Sequence, residues 1–346
     1  MNPRLERNLR LLGWIVVAGV IAGLAFNIAV GRTSPLSMMV GIAYGLTMSI
    51  LLGSIELFVL EGPMRGWLGG LPFTVSLLVR SAIYAAVIVV IQWSQFGERI
   101  ARLPLEASSQ TFWPGFFYSA AISVVMNLVL ALSNIIGPRA LLNFVTGRYH
   151  SPVEESRFVL FVDIAGSTGL AERLGGIAIH RFLDRTFGLL AIAVVDYRGE
   201  VFDYVGDEMI VTWCERDGEI DCRPLRCFLA MRDELSRASS RFEQEFGAAP
   251  RIRGSLHFGP VIVGEIGDVK RAIVFNGDVM NTAARLEELS RGVDGGFLAS
   301  RAAMDRFASK PPFAVRELGR LPIRGRADGI DVVGIDANFL SDPAPA

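Results

Sequence analysis

The sequence predicts a bundle of membrane-spanning α-helices followed by an α+β domain. Three observations predict it. Mean hydropathy is +0.41 and 51% of residues are hydrophobic, which is high for a soluble chain. That excess is concentrated in the first 136 residues, in four apolar runs broken by short polar turns. From Arg157 the apolar period changes, and strand-like and helix-like stretches follow in the order β, α, β, β, α, β, the ferredoxin-like arrangement.

The chain opens on a polar stretch carrying Arg4, Arg7 and Arg10. Leu11 to Val30 is apolar and long enough to cross about 30 Å of hydrocarbon. It is too long for a signal-peptide core, and more such runs follow, so a retained span is expected. Gly31 to Pro35 breaks it from a second span, Leu36 to Leu60. Phe73 to Trp93 is the third and Phe112 to Ile136 the fourth. Trp14, Trp67, Trp93 and Trp113 stand at span ends, where aromatic belts form.

Four spans put both termini on one side. Arg4, Arg7 and Arg10, with Arg65, Arg139 and Arg148, predict that side to be cytoplasmic. Arg99 and Arg102 then fall outside, only partly offset by Glu98 and Glu106. Glu56 and Arg80 lie near the ends of neighbouring spans, where they are expected to pair or snorkel to the interface, with sensing of an unknown membrane ligand as the alternative. No histidine precedes His150, which excludes a bis-histidine haem among the spans.

With 34 basic and 35 acidic residues, the charge balance gives no reason to expect a nucleic-acid partner. Cys214, Cys222 and Cys227 match no metal spacing, and an odd count argues against a disulfide framework, so reduced thiols are expected. His150, His180 and His257 stand apart from any ligand motif, and a structural role is expected for each.

Pro138 can open a short helix that Gly147 stops, and Ser151-Pro152 makes an extended connection. Beyond it, Phe158 to Val162 reads as a strand. Ile179, Leu183, Phe187, Leu190 and Val194 repeat at helical spacing. Glu200 to Val205 and Met209 to Trp213 form a hairpin around Gly206-Asp207. Pro224 to Phe246 is a helix with Leu225, Phe228, Leu229, Met231 and Leu235 on its core face. Arg251 to Phe258 and Val261 to Ile266 read as a second hairpin turned at Gly259-Pro260, with His257 at its end.

The chemistry lies in three stretches. Asp163 ends the first strand and Asp207 sits in the hairpin turn, so both can reach one sheet edge. Two such carboxylates hold hard divalent cations. Two metals held this way activate an attacking oxygen and stabilise a leaving phosphate. A cap and a turn residue are the competing readings of these aspartates. Gly166, Ser167 and Thr168 follow Asp163 and can bring backbone N–H groups against a polyphosphate at a helix start. Asn281 and Arg285 are one helical turn apart on one face, an amide and a guanidinium suited to a ribose and a charged phosphorane.

Phe161-Val162-Asp163-Ile164 with Gly166-Ser167-Thr168, then Gly199 through Gly206-Asp207-Glu208, then Gly277-Asp278 with Asn281, Ala283, Ala284 and Arg285 resemble, as an ordered set, the class III nucleotidyl cyclases. The resemblance runs from Arg157 to about Gly334. It implies a homodimer or pseudo-dimer with active sites at the subunit interface. It implies two Mg²⁺ or Mn²⁺ on Asp163 and Asp207, with the Ile164 carbonyl as a further ligand. Asn281 would orient the ribose, and Arg285 of the partner subunit would stabilise the transition state.

Where adenylate cyclases commonly carry lysine this chain has Asp203, and where they carry aspartate or threonine it has Val274. Asp203 can accept from adenine or from guanine. Arg324 falls near the family's triphosphate-binding lysine. The expectation is a membrane-bound adenylate cyclase making 3′,5′-cyclic AMP and pyrophosphate from ATP, in the inner membrane of a bacterial cell. Its parts are a four-helix membrane domain (1–137), a transmitting segment (138–156), a catalytic domain (157–336) and a tail (337–346). The alternatives are a guanylate cyclase and a non-catalytic membrane receptor or scaffold. A diguanylate cyclase has no place for the Asn281–Arg285 helix.

Overall fold

A computed structural model describes residues 3–100, 105–269, 271–293, 295–311, 315–322 and 329–335. Arg102, Arg324 and the tail from 337 lie outside the described residues. The chain divides into two compact units, Met1–Leu142 and Asn143–Ala346.

In the first unit, α1 is Pro3–Ala29 and α2 is Pro35–Ile55, prolonged by a π-helical turn, Glu56–Leu60. A short α3, Arg65–Gly69, leads to α4, Phe73–Ile100, and α5, Leu105–Ile136. Stretches Asn8–Ala29, Pro35–Leu60, Phe73–Trp93 and Trp113–Ser133 are long and apolar enough to cross a membrane. Ser34 starts α2 by accepting from Ser37 N at 3.2 Å, with Pro35 in the first turn.

Helices α1 and α2 touch backbone to backbone. A Cβ on Gly23 would run into the Gly41 carbonyl, and one on Gly45 into that of Gly19. Small residues allow such an approach where lipid offers no hydrophobic drive. Trp14, Trp67, Trp93 and Trp113 are all exposed on the outside of this unit. Arg80 pairs with Glu56 and also with Glu61 at 2.8 Å, and Tyr84 donates to Glu56 as well. The pairing expected of Glu56 and Arg80 is therefore present, and Glu56 is buried.

Helix α6, Pro138–Thr146, carries the chain from one unit into the next and stops at Gly147, which has φ +67°. The second unit continues with β1 (Val153–Ile164), α7 (Ser167–Leu174), α8 (Gly176–Asp196), β2 (Glu200–Val205) and β3 (Glu208–Cys214). Short α9 (Glu215–Gly218) leads through a 3₁₀ turn into α10 (Arg223–Phe246). Then come β4 (Ile252–Ile266), β5 (Ala272–Asn276), α11 (Asp278–Ser290), β6 (Phe297–Ser300), α12 (Arg301–Met304), β7 (Val315–Leu321) and β8 (Ile330–Ile335). The eight strands form one sheet in the order β2-β3-β1-β4-β6-β8-β7, with β5 pairing β4 off that path.

Side chains alternate across β1, so its two faces serve two cores. Phe158, Leu160, Val162 and Ile164 pack with Phe182 and Leu190 of α8 and Leu225, Phe228 and Leu235 of α10. These are the faces that the helical spacings predict. Val159 and Phe161 face the other way, against Val261 and Val263 of β4 and Val279 and Ala283 of α11. Each fully buried side chain of this kind is worth about 1.5–3 kcal/mol relative to exposure. The three cysteines are free thiols.

One expectation fails. Gly259-Pro260 does not turn a hairpin. Strand β4 runs straight through them and pairs with β1 from Ile164↔Ile252 to Val153↔Val263. The carbonyl of Pro260 faces Gly277, so its nitrogen, on the same strand edge, also points away from β1. On that edge β6 covers only Gly254 to Leu256 and β5 only Ile262 to Ile266. The missing N–H therefore falls in a gap where no ladder partner waits. His257 is accordingly a buried mid-strand residue with Nδ1 2.7 Å from Ser300 Oγ, not a turn residue. The hairpin in this region is β4–β5, with Val263↔Phe275 in register.

Candidate active site

Strand pairing brings the two aspartates to one edge. Asp163 is the penultimate residue of β1, opposite Glu208 on β3 and Arg253 on β4. Gly206, at φ +64°, makes the tight β2–β3 turn that presents Asp207, and Ile164 N donates to the Asp207 carbonyl at 3.2 Å. Asp163 is 5% exposed and receives a hydrogen bond from Arg253. Ser167, opening α7, donates through its hydroxyl to Asp207 Oδ2. Gly166 precedes it in a left-handed conformation, and Thr168 is exposed.

The edge holds more negative charge than it neutralises. Burial pushes the Asp163 carboxyl above its ordinary value. Arg253 pulls back, but Asp207 raises it again. Glu208 is pushed up to about 7 by burial, with Glu287, Asp163 and Asp207 adding to it. Glu287 of α11 is 4% exposed and is likewise raised by burial and by Asp163. Its Oε1 has no hydrogen-bond partner, and neither has Arg253 Nε. The sequence reading missed Glu208, Glu287 and Arg253. Glu208 follows Asp207 directly, and Arg253 falls opposite Asp163 only once the β1–β4 register is known.

Acceptor-only oxygens crowded together and short of donors fit a hard cation. No three His, Cys, Asp or Glu side chains converge as a ligand cluster among the described residues. Mg²⁺ binds through one or two carboxylates and takes its remaining ligands from substrate phosphates and water.

Asn281 and Arg285 lie elsewhere. Val279, Ala283 and Leu286 bury one face of α11, while Asn281 is exposed and Arg285 half-exposed on the other. Val279 packs at Gly259, and the Ala283 carbonyl accepts from Ser255 Oγ at 2.6 Å. Asn281 is thus level with His257, four strand residues from Arg253, or about 13 Å along β4. Glu287, on the buried face of α11, reaches Asp163, whereas Asn281 and Arg285 lie on the outer face of the same helix.

Asp203 lies on β2 beyond a bulge, exposed, with Oδ1 accepting from Tyr204 N at 2.8 Å. Val274, on β5, pairs with Gly264 of β4. Their neighbours Phe202 and Phe275 stack with ring centroids 4.1 Å apart. Strand alternation turns Val274 away from that stack, whereas the bulge leaves Asp203, opposite Ile210, on the same face of the sheet as Phe202.

The family profile described as the adenylate and guanylate cyclase catalytic domain matches residues 150–334. Adenylate cyclase 2 of Rhizobium meliloti is 31% identical over 310 residues, 88% of this chain and 85% of that enzyme. The adenylate cyclase of Anabaena cylindrica is 24% identical over 210 residues, 59% of this chain and 41% of that one. Among solved structures, a bacterial light-regulated adenylyl cyclase superposes with a TM-score of 0.54 at 19% identity, over 62% of this chain and 63% of that one, a likeness of fold.

Proposed function

Because the chain belongs to the adenylate and guanylate cyclase catalytic-domain family, we propose that it is a membrane-bound adenylate cyclase that closes ATP to 3′,5′-cyclic AMP at a site shared between two copies. The convergence of Asp163 and Asp207 at one sheet edge carries this reading. The names of the relatives favour ATP.

Asp163, Asp207 and the Ile164 carbonyl would hold two Mg²⁺ or Mn²⁺. Bound there, the metals lower the cost of forming the 3′-alkoxide and neutralise the phosphates. The chain's own groups do the rest. Ser167 fixes the Asp207 carboxylate. Arg253, beside Asp163, holds that carboxylate and would add a cation near the phosphates. Backbone N–H groups at Gly166, Ser167 and Thr168 face the polyphosphate. Asn281 orients the ribose and Arg285 stabilises the pentavalent phosphorus, both supplied by the second subunit. Asp203 and Val274 flank the base, with the Asp203 carboxylate accepting the adenine amino group. Arg324 adds a cation to the triphosphate.

Residues 1–137 are the membrane part, 138–156 transmit between the parts, 157–336 perform catalysis, and 337–346 form a tail. Both termini and the catalytic part face the cytoplasm, and the membrane is the inner membrane of a bacterial cell. The arginine distribution supports that orientation.

Mass spectrometry of products from purified protein given ATP or GTP with Mg²⁺ or Mn²⁺ tests the reading. Cyclic AMP is expected. Cyclic GMP alone would keep the reaction and reverse the base assignment at Asp203. No product from folded, dimeric protein would overturn the reading.

A further inference from the structure

Strand β2 stands first in the sheet order, so among the described residues it pairs with β3 on one side and with no strand on the other. Its ladder is irregular. Val201 pairs with Val211 and Asp203 with Ile210, so Phe202 is an extra residue with no partner across the ladder. That one residue decides where Asp203 stands. A regular ladder would pair Phe202 with Ile210 and carry Asp203 to the opposite face, that of Val201 and Val211.

Side chains oppose that relaxation. The Phe202 ring stacks on Phe275 of β5, with centroids 4.1 Å apart and planes 26° apart. Strand β2 pairs with β3 and β5 with β4, so the stack joins two parts of the sheet that the backbone leaves unjoined. Arg157 secures both sides of it. Its guanidinium lies 4.9 Å from the centre of the Phe275 ring. Its Nη1 donates at 3.4 Å to Glu200 Oε2, at the start of β2. Arg157 is itself buried, with Nε and Nη2 donating to Glu155 Oε2 at 3.0 and 2.7 Å. Paired charge-assisted bonds of this kind fix the orientation of a guanidinium.

We propose that the Phe202 bulge, clamped by Phe275 and Arg157, aims Asp203 at the nucleotide base and so sets base preference. Phe202, Phe275 and Arg157 are positioning residues, acting through the face on which Asp203 is presented. Bulges are over-represented beside active sites, where they re-aim a side chain. The proposal rests on the reading of Asp203 as the residue that meets the base. The competing role is packing alone, which would affect ATP and GTP alike.

The test reads base discrimination in the full chain by equilibrium dialysis. The probes are α,β-methylene-ATP and α,β-methylene-GTP with Mg²⁺, which keep the base and are not cyclised. Asp203→Ala sets the reference. It should change the ratio of the two Kd values by about 10-fold, the scale of one hydrogen bond to a charged group. Phe275→Leu removes the ring and keeps an apolar side chain. It should move the ratio to the Asp203→Ala value with Asp203 still present. Joined to Asp203→Ala, it should change the ratio no further, because the two act through one contact. Phe275→Tyr keeps the ring and should keep the ratio. A role in packing alone would weaken both nucleotides equally and leave the ratio where it was. An unchanged ratio in Phe275→Leu would overturn the proposal. So would a ratio that Asp203→Ala leaves unaltered, or binding of neither analogue. If Phe275→Leu fails to fold, Phe202→Leu decides in its place. Because the readout is binding, a chain that holds nucleotide and makes no cyclic product refutes the cyclase reading, while the ratios still decide this proposal.

Discussion

Along β1, Phe158, Leu160, Val162 and Ile164 face one way, and Arg157, Val159, Phe161 and Asp163 the other. The first set is apolar without interruption and is closed over by α8 and α10 of the same chain. The second set encloses two charges. Arg157, 4% exposed, reaches Glu155 at 2.7 Å and Glu200 at 3.4 Å and sits 4.9 Å over the Phe275 ring. Asp163 sits among other carboxylates. Burying charge costs stability unless it is fully compensated, and hydrophobic groups of the same size are often as good or better for folding alone. One face therefore specifies the fold, and the other gives up some stability to hold buried charge, the charge the proposed reaction would use.

Two substitutions sharpen that contrast most. Phe158→Ala should cost about 3–5 kcal/mol of stability through the cavity it leaves, measured by denaturant melts of the catalytic unit in the full chain, with activity per folded molecule little changed. Asp163→Asn should do the reverse. Turnover should fall by roughly 10²–10³-fold or more, as when one transition-state electrostatic group is lost, while the melting midpoint holds. A loss of stability for Asp163→Asn as large as that for Phe158→Ala would erase the distinction between the faces.

A smaller effect tests how the charged face is completed. Arg285→Ala should cost about 10²-fold, and mixed with Asp163→Asn it should recover about a quarter of the wild-type sites, the statistical yield of one intact site per mixed dimer. A mixture that stays inactive while the chains associate would place the whole site within one chain.

The smallest effect is thermodynamic. The folded chain holds the Glu208 proton up to about pH 7, well above an ordinary carboxylate. Folding therefore loses stability as pH rises from the ordinary carboxylate range to about 7. Mg²⁺ should offset that loss, raising the melting temperature at pH 8 and scarcely at pH 5. Equal shifts at both values would mean that the cation binds away from these carboxylates.

The four spans were legible because hydropathy over twenty residues is a strong signal, Phe158 to Val162 because it is an unbroken apolar run, and α10 because its helical period is clean. Asp163 and Asp207 were legible by their places at strand ends. Strand β4 was misread because Gly-Pro signals a turn locally, and only the gap between β5 and β6 shows why it is tolerated. Strand β6 has four residues, too few to show a period. Glu287 and Arg253 are meaningless in sequence until α11 is laid across β1 and β4. Tertiary contact, which no local pattern encodes, brings those side chains to Asp163.

Strand β1 is paired with β4 from Val153 to Ile164, and with β3 from Arg157 to Asp163. Sliding it by one residue would send every side chain to the opposite face, putting Asp163 among the leucines and Phe158 among the charges. The strand is therefore locked like a key in its wards. A pull arriving at Val153 cannot be spent in slippage on the way to Asp163. Whatever reaches the front of this unit moves the sheet as a plate, and the adjustable joint has to be the seam where one plate meets another.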